Sequence, residues 1–161
     1  MLKNIIRENT LFIETAPLVH KIGLILVDIS ESEQQNSIQI RVIIKAIDRI
    51  TTIEDCTKVH KLLEPRLELL VNNKNLQIEV STPGLQRNLK DFYEFELFVG
   101  ENIKIYDDRI SDWLSGKISS NKLDEEILIL DQSVSSESKF IEIPYIFIKK
   151  AKLEVVWEEK R

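Results

Sequence analysis

The chain has 161 residues, 43% hydrophobic and 30% charged, with 22 Lys and Arg against 27 Asp and Glu for a formal net charge of -5. That length holds one ordinary domain or two small ones, and the balance is that of a globular protein, which excludes a disordered tail and a membrane-embedded chain. Affinity for nucleic acid comes largely from phosphate neutralisation, so an acidic chain argues against a free-standing duplex binder and for a basic protein partner.

One cysteine and two histidines complete neither an internal disulfide nor a four-ligand zinc site, so no metal or other cofactor is expected and the compartment reads as reducing. Lys3, Arg7 and Glu8 interrupt what would have to be an apolar signal core, and nowhere do about 18 apolar residues run together. The expectation is a cytoplasmic protein.

In chain order, apolar residues at helical spacing predict a helix over residues 2–22, either one kinked helix or two short ones with Pro17 in the first turn of the second. Gly23 stops it. Residues 24–29 read as a strand, 31–36 as a polar turn, and 37–45 as an alternating strand that closes an antiparallel hairpin. A second helix begins at a capping box made by Thr52 and Asp55, with Ile53, Cys56, Val59, Leu63, Leu67 and Leu70 on its apolar stripe and Pro65 as a possible bend. Residues 75–81 form a third strand. The order helix, two strands, helix, strand makes a three-stranded sheet with two or three helices, an α/β domain over residues 1–85.

Past Pro83-Gly84 the texture changes to short, closely spaced strands. Residues 102–106, 113–119, 127–130, 140–143 and 153–157 predict five strands and a small β-barrel over residues 86–161, with Gly116 allowing a strand bend. The fold class is therefore α+β. Phe92, Phe95 and Phe98 recur at threes before Gly100, interleaved with acids that would repel a phosphate backbone; they read as a plug between the two domains.

Catalytic signals are weak. Cys56 and His60 share a helix face at i, i+4, the spacing of a thiolate pair or half a metal site, and a helix N-terminus lowers a thiol's pKa; the apolar stripe around Cys56 reads instead as core packing. Asp107-Asp108 and Glu125-Glu126 sit beside turns, where solvated charge is expected. The four glycines are too dispersed for a phosphate loop. The most informative stretch is 79–90: a strand ends in Ser81 and Thr82, turns through Pro83-Gly84 and continues to Arg87 and Lys90. It suits either an anion-receiving corner or a rigid link between domains.

Those residues resemble the central signature of the RimP family of ribosome maturation factors. The family's strand followed by Ser-Ser-Pro-Gly-Leu-Asp/Glu-Arg-Pro-Leu stands here as Ser81-Thr82-Pro83-Gly84-Leu85-Gln86-Arg87-Asn88-Leu89, and its Asp-Asp-Cys as Glu54-Asp55-Cys56. Residues 92–100 are similar to its Phe-rich turn, and Ile143-Pro144 with Ala151-Lys152-Leu153 to its closing pattern. The departures are Thr82, Gln86, Asn88 and His60.

The resemblance implies an N-terminal α/β domain followed by an Sm-like or Src-homology-3-like barrel. It implies a non-enzymatic factor that binds the free or precursor small ribosomal subunit (30S) and assists its late assembly, with contacts to a basic ribosomal protein near the decoding centre and to nearby rRNA. The charge pattern then nominates Asp107, Asp108, Asp112, Asp124, Glu125 and Glu126 as the surface for that protein. Ser81, Thr82, Arg87, Lys90, Arg41 and Lys45 are the candidates for rRNA. A generic Sm-like RNA-binding module and a small enzyme built on Cys56 are the alternatives; the first would bind naked RNA at physiological salt, and the second would lose activity on Cys56→Ser.

Overall fold

A computed structural model describes residues 2–72 and 75–156. The chain divides into two compact units, one of Ile6–Pro83 and the other of Met1–Ile5 with Gly84–Arg161.

In the first unit, α1 (Thr10–Lys21) starts later than the apolar spacing predicted. Asn9 is extended and its side-chain oxygen accepts from the N–H groups of Leu11 and Phe12, at 2.9 and 3.3 Å, so it caps the helix and residues 2–8 lie outside it. Pro17 falls inside α1, in a single helix. Gly23, at φ +80°, follows the helix and donates its N–H to the His20 carbonyl, a left-handed exit that costs glycine little.

Strands β1 (Leu24–Gln34) and β2 (Ser37–Ala46) pair antiparallel, and β3 (Leu76–Ser81) adds to β2 in parallel through the helical crossover α2 (Ile53–Val71). The polar run expected to be a turn is mostly strand: 31–34 continue β1, and the chain reverses in two residues, Gln35 and Asn36, both at positive φ as a tight hairpin turn requires. A bulge between Leu26 and Asp28 adds one residue to β1, which lets Leu26 and Val27 both be buried. Ile40, Val42 and Ile44 of β2 and Val59, Leu63 and Leu67 of α2 form the fully buried core. The α2 stripe is narrower than predicted, since Ile53 is exposed and Cys56 and Leu70 are only half-buried.

The second unit holds a five-stranded antiparallel sheet in the order β7-β6-β5-β4-β8, from β4 (Asn102–Asp107), β5 (Asp112–Lys122), β6 (Ile127–Asp131), β7 (Phe140–Pro144) and β8 (Ile148–Leu153). The two ends, β7 and β8, are not paired with each other among the described residues, so the sheet is open where a closed barrel was expected. The last strand was expected at 153–157. It begins five residues earlier, because 145–147 make a single 3-10 turn after β7 and Ile148, Ala151 and Leu153 supply the buried side; Trp157 lies outside the described residues. Gly116 serves close approach: a Cβ there would stand 2.9 Å from the Asp131 carbonyl oxygen of β6.

Ile103, Ile105, Leu128, Leu130 and Ile143 are fully buried on the inner face of this sheet. The phenylalanines pack within this unit. Phe92 stacks on Tyr145 with ring centroids 4.1 Å apart, Phe95 contacts both rings from the short helix α3 (Glu94–Leu97), and Phe98 is buried. Lys3, predicted helical, bridges Asp91 as a short parallel strand, its N–H donating to the Lys90 carbonyl and its carbonyl accepting from Phe92.

Candidate functional site

The signature stretch 79–90 leaves β3 at Ser81 and crosses from one compact unit to the other at Pro83-Gly84. Thr82 is exposed and Ser81 half-buried. The next turn is closed by the Arg87 N–H on the Gly84 carbonyl, and Asn88 then bridges Lys152 of β8.

Arg87, nominated as an exposed phosphate contact, is internal. Its side chain is 7% exposed, and its Nε donates to Oε1 of Glu94 at 2.6 Å, a carboxylate only 1% exposed. The other Glu94 oxygen accepts from the backbone N–H groups of Lys90 and Asp91, at 2.7 and 3.1 Å. Asp91 in turn accepts from the N–H groups of Ile5 and Tyr93. A basic residue after a Pro-Gly turn looks like a surface cation in a sequence; only the carboxylate seven residues later, meeting it inside the fold, makes it a buried strut. Of the other basic candidates, Lys90 is exposed in the second unit. Arg41 and Lys45 lie in the first, on the outer face of β2, where Arg41 is 3.5 Å from Glu79, its register partner on β3.

The six acids divide likewise. Asp107 is buried and held by Arg109, whose Nη2 approaches to 2.7 Å and whose backbone N–H also donates to it. That guanidinium holds the Asp107 carboxyl below the usual carboxylate range despite its burial, so this residue is structural and not a docking charge. Asp108 and Asp112 flank the β4–β5 turn, with Asp108 3.9 Å from Lys149. Asp124, Glu125 and Glu126 are exposed in the β5–β6 turn, where Glu126 takes a positive φ. The two groups therefore sit at opposite ends of the eleven-residue strand β5, and do not form one patch.

The second recognisable motif, Glu54-Asp55-Cys56, opens α2. Asp55 completes the predicted capping box, accepting from the Thr52 N–H at 2.8 Å while its own N–H donates to the Thr52 hydroxyl. What sequence reasoning missed is Arg49, which grips both Asp55 oxygens at 2.6 and 2.8 Å. Those bonds, then the Thr52 N–H, hold the Asp55 carboxyl far below its ordinary range. With a folded pKa below the unfolded value of about 3.9, this stabilisation is complete above that pH and is lost as pH falls toward the folded pKa. Thermal melts at pH 7 and pH 3 are expected to show a smaller acid-induced drop in Tm for Asp55→Asn than for the natural chain.

Burial, and next the Asp55 charge, push the Cys56 thiol up, opposite to the lowering that a helix N-terminus by itself would give. His60 faces Glu64 at 3.5 Å, one turn along the helix. Among the described residues no three His, Cys, Asp or Glu side chains converge as a metal site, and no helix is long and apolar enough to cross a membrane.

This two-unit α+β chain has relatives by sequence. Residues 14–86 match the model of the RimP N-terminal domain. The chain is 27% identical over 136 residues to a ribosome maturation factor RimP of Borrelia recurrentis, covering 84% of this chain and 88% of the relative. It is 25% identical over 157 residues to that of Borrelia garinii, covering 95% and 99%. Along nearly its whole length the chain is thus similar to ribosome maturation factors RimP, and its residues 14–86 match the N-terminal domain of that family.

Proposed function

We propose that the protein is a non-enzymatic assembly factor of the cytoplasm that binds the free or precursor small ribosomal subunit and assists its late maturation. The observation that carries this reading is the match to ribosome maturation factors along nearly the full length of both chains. Its two domains are then residues 6–83 and residues 84–161 together with 1–5, the second built on an open five-stranded sheet. The raised Cys56 pKa favours a binding role over thiol chemistry.

The exposed turn acids are the docking charges for a basic ribosomal protein near the decoding centre. Asp124, Glu125 and Glu126 are the stronger set, because Asp107 is consumed by Arg109 and Asp108 lies near Lys149. Ser81, Thr82, Lys90, Arg41 and Lys45 remain candidates for rRNA contact, whereas Arg87 acts there by shaping the chain. Sucrose-gradient sedimentation is expected to find the protein with free small subunits and not with joined ribosomes. Reversing Asp124, Glu125 and Glu126 to lysine should lower the bound fraction several-fold, more so at low salt. Absence from the small-subunit fractions would defeat the reading.

A further inference from the structure

The outer face of β5-β4-β8 carries a concentration of lysine that the acidic chain shows nowhere else in its sheets. Along β4, Ile103, Ile105 and Asp107 are buried, so Asn102, Lys104 and Tyr106 take the other side. The register sets Lys104 directly opposite Lys152 of β8 and Ser115 of β5, and Tyr106 opposite Lys150 and Trp113. Lys117 follows opposite Asn102.

Two features of this face need a cause. Lysines directly opposite on neighbouring strands repel, and among the described residues no ion pair joins Lys104, Lys150 or Lys152 to a carboxylate. Acids stand at the two ends of the face, with Asp131 opposite Lys117 and Glu154 just past β8 at one. At the other are Asp108 and Asp112 at the β4–β5 turn, where Asp108 lies 3.9 Å from Lys149, while Lys104 and Lys152 sit between the two ends. The face also presents an aromatic pair: Trp113, 39% exposed, meets Tyr106 edge-on at 5.6 Å, and the Lys104 ammonium lies 5.0 Å from the Trp113 ring centroid. Unneutralised lysines beside a solvent-facing indole match a ligand that alternates anionic groups with flat rings. An acidic polypeptide would satisfy the lysines and leave the aromatic pair without a role.

We infer that the Lys104, Lys150, Lys152 and Trp113 face of the second unit binds a single-stranded stretch of RNA, phosphates on the lysines and a base against Trp113. The assignment rests on the ribosome-assembly reading for the source of the RNA, but not for the chemistry of the face. It gives the acidic protein a local route to rRNA that its overall charge conceals.

The test uses the full chain and a fluorescein-labelled twelve-nucleotide single-stranded RNA of mixed sequence, read by anisotropy. Binding is expected at low salt, with log K falling against log salt at a slope of about -2 to -3 for three or four phosphate contacts. Trp113→Ala should weaken it about tenfold. The double variant Lys150→Glu with Lys152→Glu should abolish binding while its melting temperature holds or rises, since one like-charge pair is relieved. No binding by the natural chain, unchanged binding by the charge-reversed variant, or equal affinity for polyglutamate with no effect of Trp113→Ala overturns the assignment. Sedimentation of the same variants with small subunits separates the two claims. If the natural chain binds the RNA but never travels with subunits, the assembly reading fails and the face stands. If natural and charge-reversed chains travel equally well, the assembly reading stands and the face falls.

Discussion

Replacing Arg87 with alanine is expected to destabilise the protein by about 3–5 kcal/mol, the range for removing one partner of a buried ion pair. The cost comes from the group left behind. Glu94 would keep its two backbone donors but lose the guanidinium at 2.6 Å, inside a site where it is 1% exposed. Glu94→Ala should cost a similar amount by the reverse logic, freeing the Lys90 and Asp91 N–H groups as well. Replacing both partners with apolar residues of matching volume, Arg87→Met with Glu94→Leu, should recover much of the loss. Urea denaturation of the two single variants and the double variant measures all three. A loss below about 1 kcal/mol for Arg87→Ala is what an exposed pair would give, and would return Arg87 to the surface role its sequence position suggested.

Phe95→Ala should cost about 3–5 kcal/mol, the usual range for emptying a buried aromatic site. Phe95 is 0% exposed and lies within aromatic contact range of both Phe92 and Tyr145, the centroids 6.0 and 6.2 Å away. Its removal leaves the stacked Phe92–Tyr145 pair without its third ring. Tyr145 is further held by its hydroxyl on Asn121, whose side-chain amide donates to the Phe92 carbonyl. Collapse into the cavity would have to break that polar link, so relaxation is limited. Phe95→Leu should cost less, because it keeps part of the volume. Thermal unfolding of the two variants gives the ordering, and equal losses would mean that the site tolerates a void.

Much of the first unit was legible locally. Thr52 and Asp55 announce a helix start through a bond pattern that spans only three residues, and the branched apolar runs around Ile40 and Val80 are strands wherever they are placed. The helix over 2–22 misled because Leu2, Ile5 and Ile6 share the periodicity of α1 itself. Asn9 caps α1 instead, and residues near the start of the chain pair with a segment some eighty positions away. The lysine-rich β8 was hidden for a related reason: Lys149 and Lys150 break the apolar pattern in the line of sequence, although Ile148, Ala151 and Leu153 are buried once β4 lies beside them.

The sequence by itself determined the division of texture near Pro83-Gly84 and the kinds of element on each side, because capping, hydrophobic spacing and turn chemistry act over a few residues. Which charges are struts and which are surface was decided only by tertiary structure. Arg87 and Glu94, Arg109 and Asp107, and the Lys104–Lys152 opposition are set by where strands and turns meet, and a charge's solvation depends on those neighbours rather than on its own identity.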